Sequence, residues 1–269
     1  MNSKIKILIT GYNGYIGKSF VKFLKKKKIK FEKLDLKKKI NYKNFTHLLH
    51  LKFDIKEKKI YLKRNIEVMN RIIKICQKHK LFLIFPSTAS FDFRRKKKIN
   101  NNIKIINYYT QAKSECEKLI LSANKSKYIN FTILRIFNVY GDNYENRYYI
   151  SKIIRNFKKA KKFEKINIKF SENVRDYINI SDLNTLLLKV IRKKNNGIFE
   201  VGSGKSLTIK NLSIIINKIF KKKNKLIFMS PKKSVKNFFS RSNIKNTKKV
   251  FNWSPRVKLT NGLKKLICK

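Results

Sequence analysis

The sequence predicts an α/β fold, a doubly wound parallel sheet with a small C-terminal α/β lobe. Short apolar strands alternate with amphipathic helices through the first half of the chain, and the first strand runs through a glycine-rich turn straight into a helix. Strands alternating with helices at this spacing imply parallel pairing with right-handed crossovers. The first buried strand covers 5–9, and in the helix after the turn Ile16, Phe20, Phe23 and Leu24 fall on one face. A second strand over 29–34 ends at Asp35, and 48–51 reads as a short strand. Residues 66–76 read as a helix, 81–85 as a strand closed by Pro86, 113–121 as part of a helix and 131–137 as a strand. After Gly141 the alternation weakens: 148–161 is expected to be helical, 166–170 extended, and 182–191 helical with Ser181 or Asp182 as N-cap. The tail, 207–219 and 243–266, is mixed.

A chain of 269 residues, 42% of them hydrophobic, is long enough for one large α/β unit, or one such unit and a small lobe. The first residues run directly into an apolar strand, and lysines interrupt every apolar run before it reaches membrane-spanning length. No membrane contact is expected, and a cytoplasmic location is. Cys76, Cys116 and Cys268 form no C-x-x-C pair, which argues against a disulfide framework and, with His47, His50 and His79 too few and wrongly spaced, against a metal site. The formal net charge of +53 has two readings. It suits a polyanion partner such as nucleic acid. It also suits compositional drift, because Lys, Ile, Asn and Phe share A/T-rich codons and the lysines are spread along the whole chain. Drift is the preferred reading, and either origin gives a field that attracts anionic substrates.

The run Gly11-Tyr12-Asn13-Gly14-Tyr15-Ile16-Gly17 places glycine at three positions with distinct uses. One makes the tight turn, one lets backbone approach a pyrophosphate, and one lets helix and strand pack closely. The helix N-terminus then offers N–H groups and partial positive charge to phosphate. Asp35 lies 24 residues beyond Gly11, at the end of the second strand, where a carboxylate accepts from adenosine ribose hydroxyls and repels a 2′-phosphate. The expected cofactor is therefore NAD, with NADP possible because Lys37 and Lys38 follow. Residues 1–141 form the expected Rossmann-type NAD(P)-binding domain, to which about 174–201 returns, and 142–173 with 202–269 form the small lobe.

The spacing Gly-x-x-Gly-x-x-Gly resembles the short-chain dehydrogenase/reductase superfamily in its extended branch, the NAD-dependent epimerase/dehydratase family of nucleotide-sugar enzymes. The likeness spans nearly the whole chain, with motifs in family order. His50-Leu51, Asn65 and Pro86-Ser87-Thr88-Ala89 come first. Tyr109-Thr110-Gln111-Ala112-Lys113 and Arg135-Ile136-Phe137-Asn138-Val139-Tyr140-Gly141 follow, then Val174-Arg175-Asp176-Tyr177-Ile178, Phe199-Glu200-Val201-Gly202-Ser203-Gly204 and Trp253-Ser254-Pro255. One departure stands out: after His50-Leu51 the family's small pair is here Lys52-Phe53, bulky beside the cofactor's expected place.

By this resemblance Tyr109 is the general acid/base, Lys113 lowers its pKa and binds the nicotinamide ribose, and Thr88 orients the reacting oxygen. Tyr-x-x-x-Lys puts both side chains one turn apart on a helix face, and Tyr148 to Lys152 shows the same spacing by chance. An ammonium about 5.5 Å from a phenol, at an effective dielectric of about 20, favours phenolate by roughly 3 kcal/mol, or about two pKa units. The resemblance also implies cofactor contacts from the glycine turn, Asp35, Leu51 and Asn65, and diphosphate contacts from Asn138 and Arg175 in a substrate-binding lobe. Arg175 suits a diphosphate through bidentate hydrogen bonds, with Asp176 and Asp182 as alternative ion-pair partners. It implies a homodimer and a nucleotide-sugar substrate. Thr88 is followed by Ala89-Ser90, with no acid for eliminating water, so 4,6-dehydration is disfavoured. A 4-epimerase and a 4-ketoreductase both remain, as does a non-catalytic RNA-binding or scaffold protein on the same fold.

Overall fold

The computed structural model describes residues 5–38, 40–56, 58–89, 107–142, 149–229 and 239–268. Ser90 and Tyr148, which figure in the sequence reading, lie outside the described residues. The chain divides into two compact units, one of residues 1–136 with 186–200, the other of 137–185 with 201–269.

The first unit holds a six-stranded sheet built from β1 (Ile7–Thr10), β2 (Phe31–Lys33), β3 (His47–His50), β4 (Phe82–Thr88), β5 (Phe131–Ile136) and β9 (Gly197–Val201). Its order is β2-β1-β3-β4-β5-β9, and the strands from β2 through β5 pair in parallel. Parallel sheets are covered on both faces and so need unbroken apolar strands. Ile7, Leu8, Ile9, Leu48, Leu49, Leu83, Ile84 and Phe85 are accordingly all at 0% exposure. The helices α1 (Tyr15–Lys26), α2 (Lys59–His79) and α3 (Tyr108–Lys125) connect the strands. Met69, Ile72 and Cys76 of α2 and Cys116 and Ile120 of α3 recur at helical spacing and enter one core.

Between β2 and β3, where the sequence reading places no helix either, the alternation of strand and helix lapses. No helix lies there among the described residues, although a parallel crossover over β1 is required. Instead Leu34, Leu36 and Phe45 bury themselves in the core from an irregular segment with turns, and Tyr42 stacks on His79 of α2 at 4.7 Å. The order reverses between β1 and β3, and the carboxyl ends of these strands open on the crevice where doubly wound sheets bind ligands.

The second unit holds β6 (Asn138–Tyr140), α4 (Tyr149–Lys159), β7 (Lys165–Lys169), β8 (Val174–Asn179), β10 (Ser206–Thr208), α6 (Ile209–Phe220), β11 (Lys225–Met229), α7 (Lys245–Phe251) and α8 (Leu259–Ile267). Helix α5 (Ile180–Lys193) spans the division. β8 pairs antiparallel with β10 and parallel with β6, while β7 pairs parallel with β11. The expected N-cap of α5 moves: Asn179 Oδ1 accepts from Ser181 N at 3.0 Å, so Asn179 caps, and Asp182 lies in the first turn beside the positive end of the dipole.

An ion pair between buried Glu117 and half-buried Arg135 fixes α3 to β5. Arg135 Nη2 donates to Glu117 Oε2 at 2.6 Å, and Nε reaches both oxygens at 3.2 Å. Removing Glu117 takes a charged hydrogen-bond partner from the partly exposed Arg135 guanidinium. Glu117→Leu should therefore lower the unfolding free energy by about 1–3 kcal/mol. Glu117→Leu with Arg135→Met should recover most of the loss in urea denaturation, and purely additive losses would exclude coupling.

Candidate active site

The turn after β1 is held by backbone contact. Gly11 has φ +64, and a Cβ there would lie 2.3 Å from Lys52 N and 2.5 Å from the Leu51 carbonyl carbon. A Cβ on Gly17 would lie 2.2 Å from Gly11 O and 2.7 Å from Tyr12 Cα. Gly14 differs: its Cβ would meet Gly11 O at 3.3 Å and nothing nearer. Gly14 is also the N-cap of α1, in extended conformation, with no side-chain cap and no acidic residue in the first turn. The helix start thus presents N–H groups and positive dipole without a competing anion. Asn13 and Gly14 are exposed, Tyr12 and Ile16 half-buried, and Tyr15 and Gly17 buried.

Thr10 ties this turn to the loop after β3. Lys52 N donates to Thr10 Oγ1 at 3.1 Å, Leu51 N donates to Thr10 O at 3.3 Å, and Thr10 Oγ1 meets His50 Nδ1 at 2.8 Å. Burial, with Lys113 and Lys52 adding to it, pulls the His50 pKa down to about 3, so the ring is neutral at pH 7. Leu51 thereby lies against Gly11 through its backbone. Asn65 clamps the next residues: its Oδ1 accepts from Asp54 N and its Nδ2 donates to Asp54 O, both at 2.9 Å. At the far end of the crevice Asp35 Oδ1 accepts from Lys37 N at 3.0 Å, and Lys33 Nζ lies 5.2 Å from the centroid of the Tyr12 ring.

Thr88 closes β4 and is buried at 7% exposure, while Tyr109 and Lys113 occupy the first turns of α3, whose N-cap Asn107 accepts from Thr110 N. Lys113 is buried, and its Nζ donates to Pro86 O at 2.7 Å, just before Thr88. That ammonium lies 3.8 Å from the centroid of Phe53 and 4.4 Å from that of Phe85. Burial lowers its pKa to about 7, against the opposing pull of Cys116 and Glu117. Phe53 also meets the Tyr109 ring edge-on at 5.7 Å. Fold and sequence together thus bring the glycine turn, Leu51, Thr88, Tyr109 and Lys113 to the carboxyl ends of β1, β3 and β4.

The second unit carries the other candidates. Asn138 Nδ2 donates to Asp176 O at 2.9 Å, holding β6 against β8. Arg175 is half-buried beside Tyr149 and Tyr177, where its charge partly offsets the upward shift that burial gives both phenols. Asp176 is fully buried, and its carboxylate accepts from Ser203 N, Gly204 N and Ser242 N at 2.7, 3.1 and 3.0 Å, and from both serine hydroxyls. Asp182 Oδ2 accepts from Val257 N at 2.9 Å. Both carboxylates serve the fold of this unit. Trp253 donates from Nε1 to Thr185 Oγ1 at 3.0 Å, a packing role.

Sequence reasoning missed three features: the clamp between Asn65 and Asp54, the aromatic surround of Lys113, and the Arg135–Glu117 pair. Each depends on residues 11 to 60 positions apart, so no local spacing reveals it. Among the described residues no group of three or more His, Cys, Asp or Glu could hold a metal, and no helix is long and apolar enough to cross a membrane.

The pyrophosphate end fits a dinucleotide, since the open Gly14, the uncapped helix start and the absence of acid form an anion cradle. The two glycines should then separate in mutagenesis. Gly14→Ala should cost about 1 kcal/mol of stability and abolish NAD binding in calorimetry. Gly17→Ala, pressed into backbone, should cost about 3 kcal/mol. Undiminished NAD binding by Gly14→Ala would remove Gly14 from the cradle.

Comparison with known proteins agrees with the fold. The bifunctional polymyxin resistance protein ArnA of Wigglesworthia glossinidia brevipalpis is 27% identical over 334 residues, covering 97% of this chain and 50% of that protein. The chain thus spans about half the length of the curated relative it matches. A UDP-N-acetylglucosamine 4-epimerase from Methanobrevibacter ruminantium M1, solved in complex with UDP-N-acetylmuramic acid, is similar at TM-score 0.81 and 19% identity, over 98% of this chain and 97% of that one. RMD from Pseudomonas aeruginosa complexed with NADPH is similar at TM-score 0.80 and 14% identity, over 98% of each chain. The model of the NAD dependent epimerase/dehydratase family matches residues 7–202. The chain belongs to the NAD-dependent epimerase/dehydratase family.

Proposed function

We propose that this protein is an NAD(P)-dependent enzyme acting on a nucleotide-diphosphate sugar, passing hydride between the cofactor and a sugar carbon, C4, with Tyr109 as acid/base. The observation that carries it is the anion cradle at Gly14 in the same unit as Thr88, Tyr109 and a buried Lys113. The cofactor, when bound, supplies the hydride acceptor and donor. Asp35 takes the adenosine ribose, the glycine turn the pyrophosphate, and Asn65 acts through the loop it clamps at Asp54. Lys113 takes the nicotinamide ribose, and as an ammonium it stabilises the Tyr109 phenolate. Thr88 hydrogen-bonds the reacting oxygen and holds it for proton exchange with Tyr109 Oη. In the second unit Arg175 binds the diphosphate and Asn138 supports it through β8.

Epimerisation is the favoured reaction, with reduction of a 4-keto sugar as the alternative. Ala89 follows Thr88 with no acid at that position for eliminating water. The two reactions part on cofactor balance: an epimerase interconverts a UDP-sugar pair with no net change in NADH, whereas a reductase consumes reduced cofactor one for one.

Tyr109→Phe should keep NAD affinity within a few-fold and lower turnover of UDP-hexose by about 10²–10⁴. Unchanged turnover would remove the acid/base assignment. Asp35→Ala should weaken NAD relative to NADP in equilibrium titrations, because the carboxylate accepts from ribose hydroxyls and repels a 2′-phosphate. An unaltered NAD/NADP ratio would remove the ribose contact.

A further inference from the structure

The surroundings of the Lys113 ammonium are unequal in mobility. Pro86 O and Phe85 belong to the central strand β4, and Phe85 is at 0% exposure, fixed by the core on every side. Phe53 comes from the loop after β3, half-buried between exposed Lys52 and half-buried Asp54. It lies nearer the ammonium than Phe85, 3.8 Å against 4.4 Å, and it also touches the Tyr109 ring. The loop's backbone is pinned on both sides of this residue, at Lys52 N by Thr10 and at Asp54 by Asn65. A pinned backbone leaves the side-chain rotamer as the way for Phe53 to leave Lys113.

We infer that Phe53 is a gate on the nicotinamide end of the crevice: its ring covers Lys113 in the free protein, and a dinucleotide's ribose reaches that ammonium only after the ring has swung out. This rests on the dinucleotide reading above and adds a specificity-determining residue to it. The physical ground is competition for one buried cation. Lys113 has three N–H donors, of which one reaches Pro86 O while two aromatic faces stand in for further polar partners. Ribose hydroxyls would be better partners for a cation held in so apolar a place. The groups facing it are neutral His50 at the end of β3, and Cys116 and Glu117 on α3. Burial draws its pKa down to about 7, so the gated protein sheds the Lys113 charge as pH rises through neutrality. A desolvated cation–π contact given up on binding weakens the cofactor by about tenfold to thirtyfold.

NADH titration of the full chain by calorimetry, with Phe53→Ala and Phe53→Leu as variants, tests the gate. Phe53→Ala should bind NADH about tenfold more tightly than the parent, and Phe53→Leu, which keeps apolar bulk without a π face, should fall between. A signature independent of turnover comes from the 13Cε resonance of Lys113, assigned by its loss in Lys113→Arg. It should be displaced by the Phe53 ring current in the free parent, move toward the ordinary lysine position on adding NADH, and lie nearer that position from the start in Phe53→Ala. Equal or weaker NADH binding by Phe53→Ala than by the parent overturns the gate and leaves the dinucleotide reading standing. No NADH or NADPH binding by any of the three proteins, with the ring-current displacement present in the parent, overturns both.

Discussion

The site depends on one backbone contact. The chain after β1 and the chain after β3 touch with no side chain between them, because position 11 has none: a Cβ on Gly11 would fall 2.3 Å from Lys52 N. From this contact the other placements follow. It sets the Thr10 hydroxyl against Lys52 N and His50, and it sets α1 so that its N-terminus opens on the crevice. It also fixes the loop that carries Phe53 to the Tyr109–Lys113 pair. Gly17 makes the second such contact, pressing α1 onto the turn. A phosphate cradle made of backbone requires backbone brought close to backbone, and glycine is the residue that permits it.

The rest of the chain gives the measure of that constraint. Helices α2, α6 and α7 end on left-handed residues that are Lys80, Lys221 and Asn252, where glycine is the usual occupant. A Cβ is merely strained at such positions, at about 1–2 kcal/mol each, and there the chain carries lysine or asparagine. Where a Cβ would collide with backbone, at Gly11 and Gly17, it carries glycine. Lysine also does work that other residues do elsewhere: Lys222 Nζ donates to the carbonyls of Phe157, Lys158 and Ala160 at the end of α4. Three of the scarce acids lie in the interior. Asp176, Asp182 and Glu117 are all buried in hydrogen-bonded roles, which leaves the surface more basic still. Such a field draws phosphate-bearing ligands toward any site on the molecule.

These same features explain what was legible in the sequence. The strands from β1 to β5 and the glycine turn could be read because both report local physics: continuous apolar runs for a sheet covered on both faces, and glycines at fixed offsets before a helix. Helix ends were harder, since the usual glycine stop signal is lysine here; α2 runs over Lys59–His79, well beyond the expected 66–76. Between β2 and β3 the sequence shows no helical period and the described residues hold no helix; Leu34, Leu36 and Phe45 are buried there at scattered positions instead. In the candidate site, Tyr109 and Lys113 are singled out by their order along the chain. The bulk of Phe53 was noted in the sequence, but its contact with Lys113 is a matter of distance across the fold.

The claim beneath all of this is that the glycine turn binds a dinucleotide. Native mass spectrometry of the purified full chain measures it most directly. The account predicts protein carrying one NAD(H) or NADP(H) per chain, either as isolated or after addition of micromolar cofactor. Protein that stays bare at millimolar NAD(H) and NADP(H), yet takes up RNA with a steep salt dependence, would contradict it.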